Sequence, residues 1–489
     1  MSHEALDLYL RDPSRLGAPV PGAATGRAGG AACGDLISIS LRLIGGRVGD
    51  LRRSATGCGA ARAASAAAAE LADGLPLAEA AMLDAAAISA ELGGLSSAGA
   101  HAADLAAEAL HRALGVAVAG SGDAILPPPV DGRERVLVAL SGGVDSAVAA
   151  LRERERGAEV VAITLELWSD PANDATKSCC SADAVRAARS LAHSLGIPHL
   201  TVDLRERFRA GVVEPFVAGY AAGETPNPCV RCNGRVRIEP MIEIARRLGA
   251  RSLATGHYAR LVDEGSGAPL LAAAADPAKD QSYMLAGLSP AALARLRFPL
   301  GKLTKPEVRA LAAGAGLAVA AAAESQDLCF LAGVGKAGFL ARHGALPDRP
   351  GELVDRSGSV LGTHRGHHRF TVGQRKGIGL AAPDPLYVLA TDASSNRVTV
   401  GGAGELDVGR VAIRDAILHR PSARVGSVRL RYRARPVPCR VGASASAPPG
   451  PGRHERLEVE LAHPARAAAP GQTAVLCDGD LVIGHGTIA

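Results

Sequence analysis

The segment Val136-Leu-Val-Ala-Leu-Ser-Gly-Gly-Val-Asp-Ser146 decides how the middle of the chain folds. Its first five residues are apolar and predict a buried strand, and the helical pattern of 147–155 follows it. The glycines between them let successive backbone N–H groups point inward as an anion nest at a helix N-terminus. No Lys follows, in contrast to the GxxxxGK(S/T) loop of ordinary NTPases. The segment therefore predicts a phosphate-binding loop in which a divalent cation bridges Asp145 to the phosphates.

Strands and helices alternate after this loop. Apolar strands are predicted at 160–165, 199–203 and 252–255, and helices at 182–195 and 238–248. Such alternation is typical of a parallel sheet with helices on both faces. The predicted fold class is therefore α/β for this part of the chain.

The C-terminal part has a different pattern. Helical patterns fade after about Ser325, and short Val-, Leu- and Arg-containing strands continue to the end, for example 386–391, 396–400, 426–432 and 473–476. Gly, Pro, Asp and Asn separate them, which is typical of small β-rich domains. We expect such domains to follow the α/β part.

The first 118 residues form a unit of their own. An alternating strand begins at Asp35, and three Ala-rich helical patterns follow at 59–73, 77–91 and 101–114. We predict an α+β domain at 1–118, a Pro-containing linker at 119–134, an α/β domain at 135–335, a central β-rich domain at 336–402 and a C-terminal β-barrel-like domain at 403–489.

The composition is that of a globular protein, with 47% hydrophobic and 21% charged residues. The net charge of +5 permits a nucleic-acid partner without demanding one.

The start is acidic without an apolar core, and no run of about 20 apolar residues is present, so neither a secretory signal nor a membrane span is expected. Nine cysteines then favour metal or catalytic thiols over a disulfide framework. We expect a cytoplasmic protein with no membrane partner.

Seven motifs make residues 135–489 resemble the tRNA-specific 2-thiouridylases. They are SGGVDS (141–146), NPCVRCN (227–233), ATGHYAR (254–260), DPAKDQSYML (276–285), SQDLCF (325–330), FTVGQRKGIGL (370–380) and LRYRA (430–434). The loop resembles the pyrophosphatase type, or PP-loop, in which ATP is cut to AMP and pyrophosphate. The resemblance implies ATP-dependent 2-thiolation of the wobble uridine, with tRNA as partner and a cysteine desulfurase or sulfur-relay protein as sulfur source.

The chemistry of such a reaction needs two thiols. Adenylation turns the C2 oxygen into a leaving group, one cysteine carries a persulfide, and another attacks the S–S bond to release sulfur. The resemblance makes Cys329 the persulfide carrier and Cys232 the nucleophile that can close a disulfide with it. Two buried structural thiols are the alternative interpretation.

One departure from the family opens a second mechanism. Many relatives carry Asp where this chain has Cys229. Cys229, Cys232 and Cys329 can provide the three-point ligation of an iron–sulfur cluster, which would give a non-redox thiolation. The sequence does not separate the two mechanisms. A different adenylating synthetase on the same loop, and a metal-carrying scaffold protein, also remain open.

The resemblance also implies binding residues, with ATP and Mg²⁺ as cofactors. The ATP contacts are Ala139, Leu140, Ser141, Gly142, Gly143, Val144, Asp145, Ser146, Leu165 and Gly256. The tRNA contacts are Asn227, Pro228, Cys229, His257, Lys279, Asp280, Gln281, Arg431, Tyr432 and Gln472. Arg375 and Lys376 add a basic loop, whereas Cys179, Cys180, Cys439 and Cys477 are interpreted as structural.

Residues 5–115 are similar to iron–sulfur cluster scaffolds of the NifU N-terminal type. The matching segments contain Cys33, Asp35, Cys58 and His101, but Ala102 stands where the family has its third cysteine. Because iron and sulfide demand thiolate ligands, this change puts normal cluster assembly in doubt. The four remaining groups can form a tetrahedral Zn²⁺ site. A fold retained only as a docking module is the other interpretation.

Overall fold

The structure is a computed structural model, and it describes residues 3–30, 34–122, 124–129, 131–170, 182–265, 267–322, 328–344, 346–442, 448–466 and 468–489. Cys33, Cys179, Cys180 and the first three residues of the SQDLCF motif lie outside these ranges. Among the described helices, none combines the length and the apolar character that a membrane crossing requires.

The N-terminal unit packs a small antiparallel sheet against helices. Its elements are α1 (His3–Arg11), β1 (Ala24–Gly29), β2 (Leu36–Ile44), β3 (Arg47–Thr56), α2 (Gly59–Ala72), α3 (Leu77–Ala80), α4 (Ala85–Glu91) and α5 (Ala100–Gly120), with strand order β1-β2-β3. Ile37, Ile39 and Leu41 alternate along β2 and are fully buried against the Ala-rich helices. The α+β class predicted for this unit is confirmed.

Two helix predictions for this unit are wrong in their extent. The single helix expected at 77–91 is two helices: the first ends at Ala80, and Asp84 caps the start of the second by accepting a hydrogen bond from Ala87 N. The last helix continues to Gly120 instead of ending at 114, because its C-terminal turns are covered by the next domain.

The α/β domain is built on a parallel sheet of order β10-β7-β4-β5-β6. Its elements are β4 (Arg135–Ala139), α6 (Val144–Glu155), β5 (Glu159–Glu166), α7 (Ala182–Ser194), β6 (His199–Asp203), α8 (Arg205–Phe208), α9 (Glu214–Ala221), α10 (Pro228–Arg231), α11 (Glu239–Arg247), β7 (Ser252–Thr255), β8 (Arg260–Val262), β9 (Leu270–Ala272), α12 (Ser282–Leu285), α13 (Pro290–Leu293), β10 (Leu296–Arg297), α14 (Lys305–Gly314) and α15 (Gly335–His343). π-Helical segments lie at Arg209–Val213 and Cys232–Ile238. The predicted α/β class is confirmed.

Two β-rich sheets follow. The first has order β12-β11-β14-β13, with β11 (Gly351–Val354), β12 (Val360–His364), β13 (Tyr387–Asp392) and β14 (Arg397–Gly401). The second contains β15 (Asp407–Leu418), β16 (Ser427–Arg429), β17 (Val437–Val441), β18 (Gly452–Arg466), β19 (Thr473–Asp478) and β20 (Leu481–Ile488). β15 pairs with both β18 and β20, so these six strands close a barrel. The strand predicted at 426–432 is shorter, because a turn begins after Arg429.

The hairpin β8–β9 of the α/β domain joins the barrel sheet. β9 pairs with β20, and Arg420 and Arg424 of the barrel form ion pairs with Glu264 of the hairpin. Backbone pairing and ion pairs thus fix the barrel against the α/β domain.

The N-terminal unit is docked on the edge strand β6. At Gly115 of α5 a Cβ would lie only 1.7 Å from the carbonyl oxygen of Thr201, so the helix can approach the strand only because this residue is glycine. Arg112 of the same helix bonds Glu166 at 2.8 Å. The segment predicted as a linker also binds the α/β domain, since Ile125 N donates to Arg247 O at 2.6 Å.

A candidate nucleotide pocket and two cysteine sites

The phosphate loop is closed by its own serines. Ser146 Oγ accepts a hydrogen bond from Ser141 N at 3.1 Å and donates one to the carbonyl of Gly143 at 3.0 Å. Gly142 has a φ of +76°, a left-handed conformation that favours glycine. Gly143 precedes α6, so the loop opens directly onto a helix N-terminus, where backbone N–H groups are free of intrahelical partners.

Gly256 forms the opposite wall of the loop. A Cβ at this position would lie 2.8 Å from both the carbonyl carbon of Asp145 and the nitrogen of Ser146. The end of β7 therefore reaches the phosphate loop only with glycine at this position. This contact gives a physical reason for the glycine in the ATGHYAR motif.

Two residues that the sequence analysis missed hold Asp145. One of its carboxylate oxygens accepts hydrogen bonds from Tyr258 Oη at 2.7 Å and from Lys305 Nζ at 2.6 Å. Lys305 is buried at the N-terminus of α14 and is therefore a fixed cation beside the loop. The capping sequence Thr304-Lys-Pro-Glu307 predicts a helix start, but nothing local indicates that its lysine faces the loop.

The loop opens into a cavity of about 420 Å³ at the carboxyl ends of the parallel strands. The predicted site residues that line it are Ala139, Leu140, Ser141, Gly143, Val144, Asp145, Ser146, Leu165, Gly256, His257, Lys279, Gln281 and Tyr432. Four cationic side chains also line it: Arg237, Lys279, Lys305 and Arg433. Asp145 is the one carboxylate among the described lining residues, so the cavity suits an anion.

His257 is neutral in this cavity. Burial, assisted by the positive charge of Arg237, lowers the pKa of His257 to about 3. Its Nδ1 lies 2.9 Å from the hydroxyl of Thr255. The imidazole therefore offers hydrogen bonds to a ligand without adding charge at neutral pH.

The turn 279–281 is held from inside the protein. Asp280 accepts hydrogen bonds from Ala274 N, Ser282 N, Ser282 Oγ and Arg429 Nη1. The side-chain oxygen of Gln281 accepts from Tyr258 N at 2.9 Å. These bonds hold Lys279 at the cavity wall, whereas the Asp280 carboxylate is occupied within the fold. Its predicted tRNA contact stays a prediction.

The NPCVRCN motif forms the short helix α10, which continues into the π-helical segment Cys232–Ile238. Asn227 caps α10 by accepting hydrogen bonds from Cys229 N at 3.1 Å and Val230 N at 3.2 Å, with Pro228 in the first turn. Burial raises the pKa of the Cys229 thiol. Asn227 and Pro228 line a second cavity, of about 520 Å³, between this motif and the barrel. Gln472 borders the same region, because its Nε2 donates to Thr225 O at 2.8 Å.

The two predicted reactive thiols share one apolar cluster. Cys232 is a buried member of this cluster, and Cys329 packs against it. Leu165 of the nucleotide cavity belongs to the same cluster. Cys232 begins the π-helical segment Cys232–Ile238, whose Arg237 lines the nucleotide cavity. The π-helical segment that begins at Cys232 thus reaches the nucleotide cavity at Arg237.

Several other predicted residues are not among those that line the nucleotide cavity. Arg375, Lys376 and Arg431 are exposed. Cys439 and Cys477 are buried in barrel strands β17 and β19, and burial raises the pKa of Cys439 to about 12 and that of Cys477 to about 11. Both barrel thiols are therefore protonated at neutral pH.

The N-terminal unit brings three of its four predicted ligands together. The ligand atoms of Asp35, Cys58 and His101 all lie within 4.8 Å of one another. Asp35 Oδ2 lies 3.1 Å from Cys58 Sγ and 2.9 Å from His101 Nε2. A Cβ at Gly57 would lie 1.9 Å from Asp35 Oδ1, so this glycine is needed for the cluster to form. The fourth predicted ligand, Cys33, lies outside the described residues.

Hydrogen bonds within this cluster shift the pKa values of Asp35 and His101. The backbone N–H of Cys58 and the ring of His101 lower the pKa of Asp35, and the bond to Asp35 raises the pKa of His101. Ala102 is buried in the unit's core and presents no ligand where the scaffold family has its third cysteine.

The parallel sheet, its lysine-free phosphate loop and the appended β domains define a nucleotide-binding protein of the PP-loop class. Family models match four consecutive parts of the chain: the NifU-like N terminal domain over 1–117, the tRNA methyl transferase HUP domain over 134–333, the tRNA methyl transferase PRC-barrel domain over 337–402 and the Aminomethyltransferase beta-barrel domain over 417–488. The bifunctional protein NifU/MnmA of Rubrobacter xylanophilus is 44% identical over 490 residues, which cover 98% of this chain and 97% of that protein. The chain belongs to the NifU/MnmA family.

Two further comparisons concern single parts. The tRNA-specific 2-thiouridylase MnmA of Geobacter metallireducens is 43% identical over 364 residues, or 73% of this chain and 97% of that protein. An iron–sulfur cluster assembly scaffold protein for a SUF system, from Fervidobacterium islandicum AW-1, is 20% identical and covers 23% of this chain and 99% of its own, with a TM-score of 0.19.

Proposed function

We propose that this chain uses ATP to replace the C2 oxygen of the wobble uridine of cytoplasmic tRNA with sulfur. The observation that carries the proposal is the junction between the nucleotide cavity and the helix that begins at Cys232. The relatives named as tRNA-specific 2-thiouridylases, which match the chain beyond the N-terminal unit, support the same substrate.

ATP binding follows from the charges of the cavity. The phosphates sit in the loop of Ser141–Ser146, where N–H groups and the helix N-terminus favour anions. Lys305 supplies the cation that the loop itself lacks. Asp145 would hold the Mg²⁺ that accompanies ATP, and this ion would neutralise phosphate charge.

The first chemical step is adenylation. The C2 oxygen of the uridine attacks the α-phosphorus, and the bond to the β-phosphate breaks, so pyrophosphate leaves with the bonding electrons. The ring loses its N3 proton and gains a C2=N3 double bond. The oxygen is now an ester of AMP, which is a far better leaving group than a carbonyl oxygen.

The second step brings sulfur from a persulfide on Cys329, loaded by a cysteine desulfurase or a sulfur-relay protein. The Cys232 thiolate attacks Sγ of Cys329, the persulfide S–S bond breaks, and hydrosulfide leaves. Hydrosulfide adds to C2, AMP departs with the oxygen, and N3 regains a proton. The two thiols are oxidised to a Cys232–Cys329 disulfide, so a thiol reductant is needed for the next turnover.

The described residues fit this mechanism better than a cluster mechanism. Within the described chain, the set gathered within 4.8 Å is the N-terminal one, not Cys229, Cys232 and Cys329. A cluster at these three cysteines is therefore not part of the proposed reaction.

The N-terminal unit is proposed to hold Zn²⁺ through Asp35, Cys58 and His101, with Cys33 as the fourth ligand. Thiolate, imidazole and carboxylate are all common zinc ligands, and four of them complete a tetrahedron. Metal analysis of the full chain tests this proposal. One zinc per chain that is lost in Cys58→Ser supports it, and a chain purified without zinc contradicts it.

Mass spectrometry of tRNA nucleosides tests the main function. A strain lacking the gene is compared with the same strain carrying the intact chain or the Cys232→Ser variant. We expect wobble 2-thiouridine to disappear in the deletion, return with the intact chain and stay absent with the variant. Wobble 2-thiouridine that persists in the deletion strain would favour a different adenylating enzyme, and full recovery with the variant would contradict the role of Cys232.

A further inference from the structure

The nucleotide cavity has one lining arginine that comes from the barrel. Arg433 follows β16 and lines the cavity together with the phosphate loop, although the loop belongs to the α/β domain. Its guanidinium carbon lies 5.3 Å from the ring centre of Tyr432. Among the described residues, no carboxylate forms an ion pair with Arg433, so its charge is available to an anionic ligand.

The backbone at Arg433 is held in an unfavourable conformation. Its φ is +61°, in the left-handed region that non-glycine residues avoid. A hydrogen bond from Ala434 N to Arg431 O closes the turn around it. Strained residues of this kind persist when the surroundings hold them, and they cluster at binding and catalytic sites. Strain at a residue that lines the cavity is consistent with a binding role for this turn.

Two contacts fix this turn to the α/β domain. Arg429, at the end of β16, donates to Asp280 at 2.7 Å, and both side chains of this ion pair are largely buried. Tyr432 packs its ring 6.1 Å from that of Tyr283. Asp280 belongs to the turn that places Lys279 at the cavity, so one ion pair positions cations from both domains.

We propose that Arg433 binds the phosphates of ATP and that Arg429 positions it. The inference rests on the proposed use of ATP and adds that the barrel supplies part of the nucleotide site. A guanidinium suits this task because its planar fork can donate two parallel hydrogen bonds to one phosphate. Lys305 is engaged with Asp145, and Arg433 adds a second positive charge to the same cavity from the barrel side.

Binding of a non-hydrolysable ATP analogue and of tRNA to the full chain tests the proposal. We expect Arg433→Gln to weaken analogue binding by about tenfold or more, since it removes charge-assisted hydrogen bonds. Binding of tRNA in the absence of nucleotide is expected to change by less than about twofold. Arg435→Gln, at an exposed neighbouring arginine outside the cavity lining, is the matched control.

Arg433→Gly separates binding from folding. Glycine accepts the left-handed backbone without strain, so this variant is expected to melt at the same or a higher temperature while losing analogue affinity. For Arg429, we expect Arg429→Met to raise the KM for ATP more than it lowers kcat, and Arg429→Lys to recover part of the loss.

The outcomes distinguish the two levels of the proposal. An intact chain that binds no ATP analogue would overturn the proposed function itself. If the intact chain binds the analogue and both Arg433 variants bind it equally well, the role of Arg433 is wrong. Weakened tRNA binding with unchanged analogue affinity would assign Arg433 to the tRNA backbone and would also overturn the proposal.

Discussion

Lys305 Nζ lies 2.6 Å from Asp145 Oδ1, although the two residues are 160 positions apart in the chain. The lysine begins a helix on one side of the domain, and the aspartate lies in the phosphate loop. The pair supplies the loop with the cation that ordinary NTPases carry within their own loop sequence.

Removing this cation is expected to weaken ATP binding strongly. Lys305→Met leaves the apolar part of the side chain but deletes its charge, and Asp145 then repels the phosphates. We expect the Kd for ATP to rise by at least about tenfold, consistent with loss of a charge-assisted bond of ~1.5–3 kcal/mol. Isothermal titration measures it. Tyr258→Phe, which keeps the charge of Lys305, should lose much less ATP affinity. Equal losses of affinity in the two variants would contradict this role of the lysine charge.

A single methyl group at Gly256 should damage the phosphate loop. In Gly256→Ala the new Cβ meets the backbone of Asp145 and Ser146 at 2.8 Å, so the loop or β7 must move. We expect a stability loss of ~1–3 kcal/mol and weak nucleotide binding. Gly314→Ala is the control, because a Cβ there has no neighbour within 4 Å. Denaturant unfolding and nucleotide binding that are unchanged in Gly256→Ala would show that the contact is unimportant.

His257 makes the fold sensitive to acid. Its pKa is lowered to about 3 in the folded chain, below the ordinary value of 6.5, so the unfolded chain binds the extra proton first as pH falls. Its stabilising contribution is present above about pH 6.5 and is lost as pH falls toward 3. We expect His257→Gln to reduce the slope of unfolding free energy against pH in this window by up to ~1.4 kcal/mol per pH unit. Urea titrations measure it, with exposed His463→Gln as control; equal slopes in the two variants would contradict the burial argument.

Docking of the N-terminal unit depends on Gly115. A leucine at this position collides with the carbonyl of Thr201 and should push α5 away from β6. We expect faster tryptic cleavage after the exposed Arg133, because the segment before it loses its anchor. Gly120→Leu adds the same side chain where a Cβ has no neighbour within 4 Å. Cleavage at the rate of the unmodified chain in Gly115→Leu would mean that docking tolerates the change.

The sequence predicts features that are local. Strand 199–203, strand 252–255 and the phosphate loop each depend on a few consecutive residues, and the structure has strands at both ranges. The Ala-rich pattern hides the break between Ala80 and Ala85, although a capping aspartate such as Asp84 is a helix-start signal.

Contacts between distant segments could not be predicted from the sequence. No sequence feature near Lys305 predicts its contact with Asp145. Likewise, no feature near β9 predicts that this strand pairs with β20 of the barrel. The resemblance implies roles for Arg431 and Tyr432 but none for Arg433. Only the fold shows that Arg433, and not Arg431, lines the cavity beside Tyr432. Such contacts arise from tertiary packing, which a single chain does not display as a pattern.

Single-turnover transfer of labelled sulfur tests the central claim most directly. The full chain is loaded with ³⁵S persulfide, mixed with unmodified tRNA and ATP, and the label in 2-thiouridine and the AMP formed are counted. We predict one AMP per labelled nucleoside with the intact chain. Cys329→Ser should fail to load, and Cys232→Ser should load but not transfer. Labelled 2-thiouridine formed at the normal rate by either variant would contradict sulfur delivery through these two thiols.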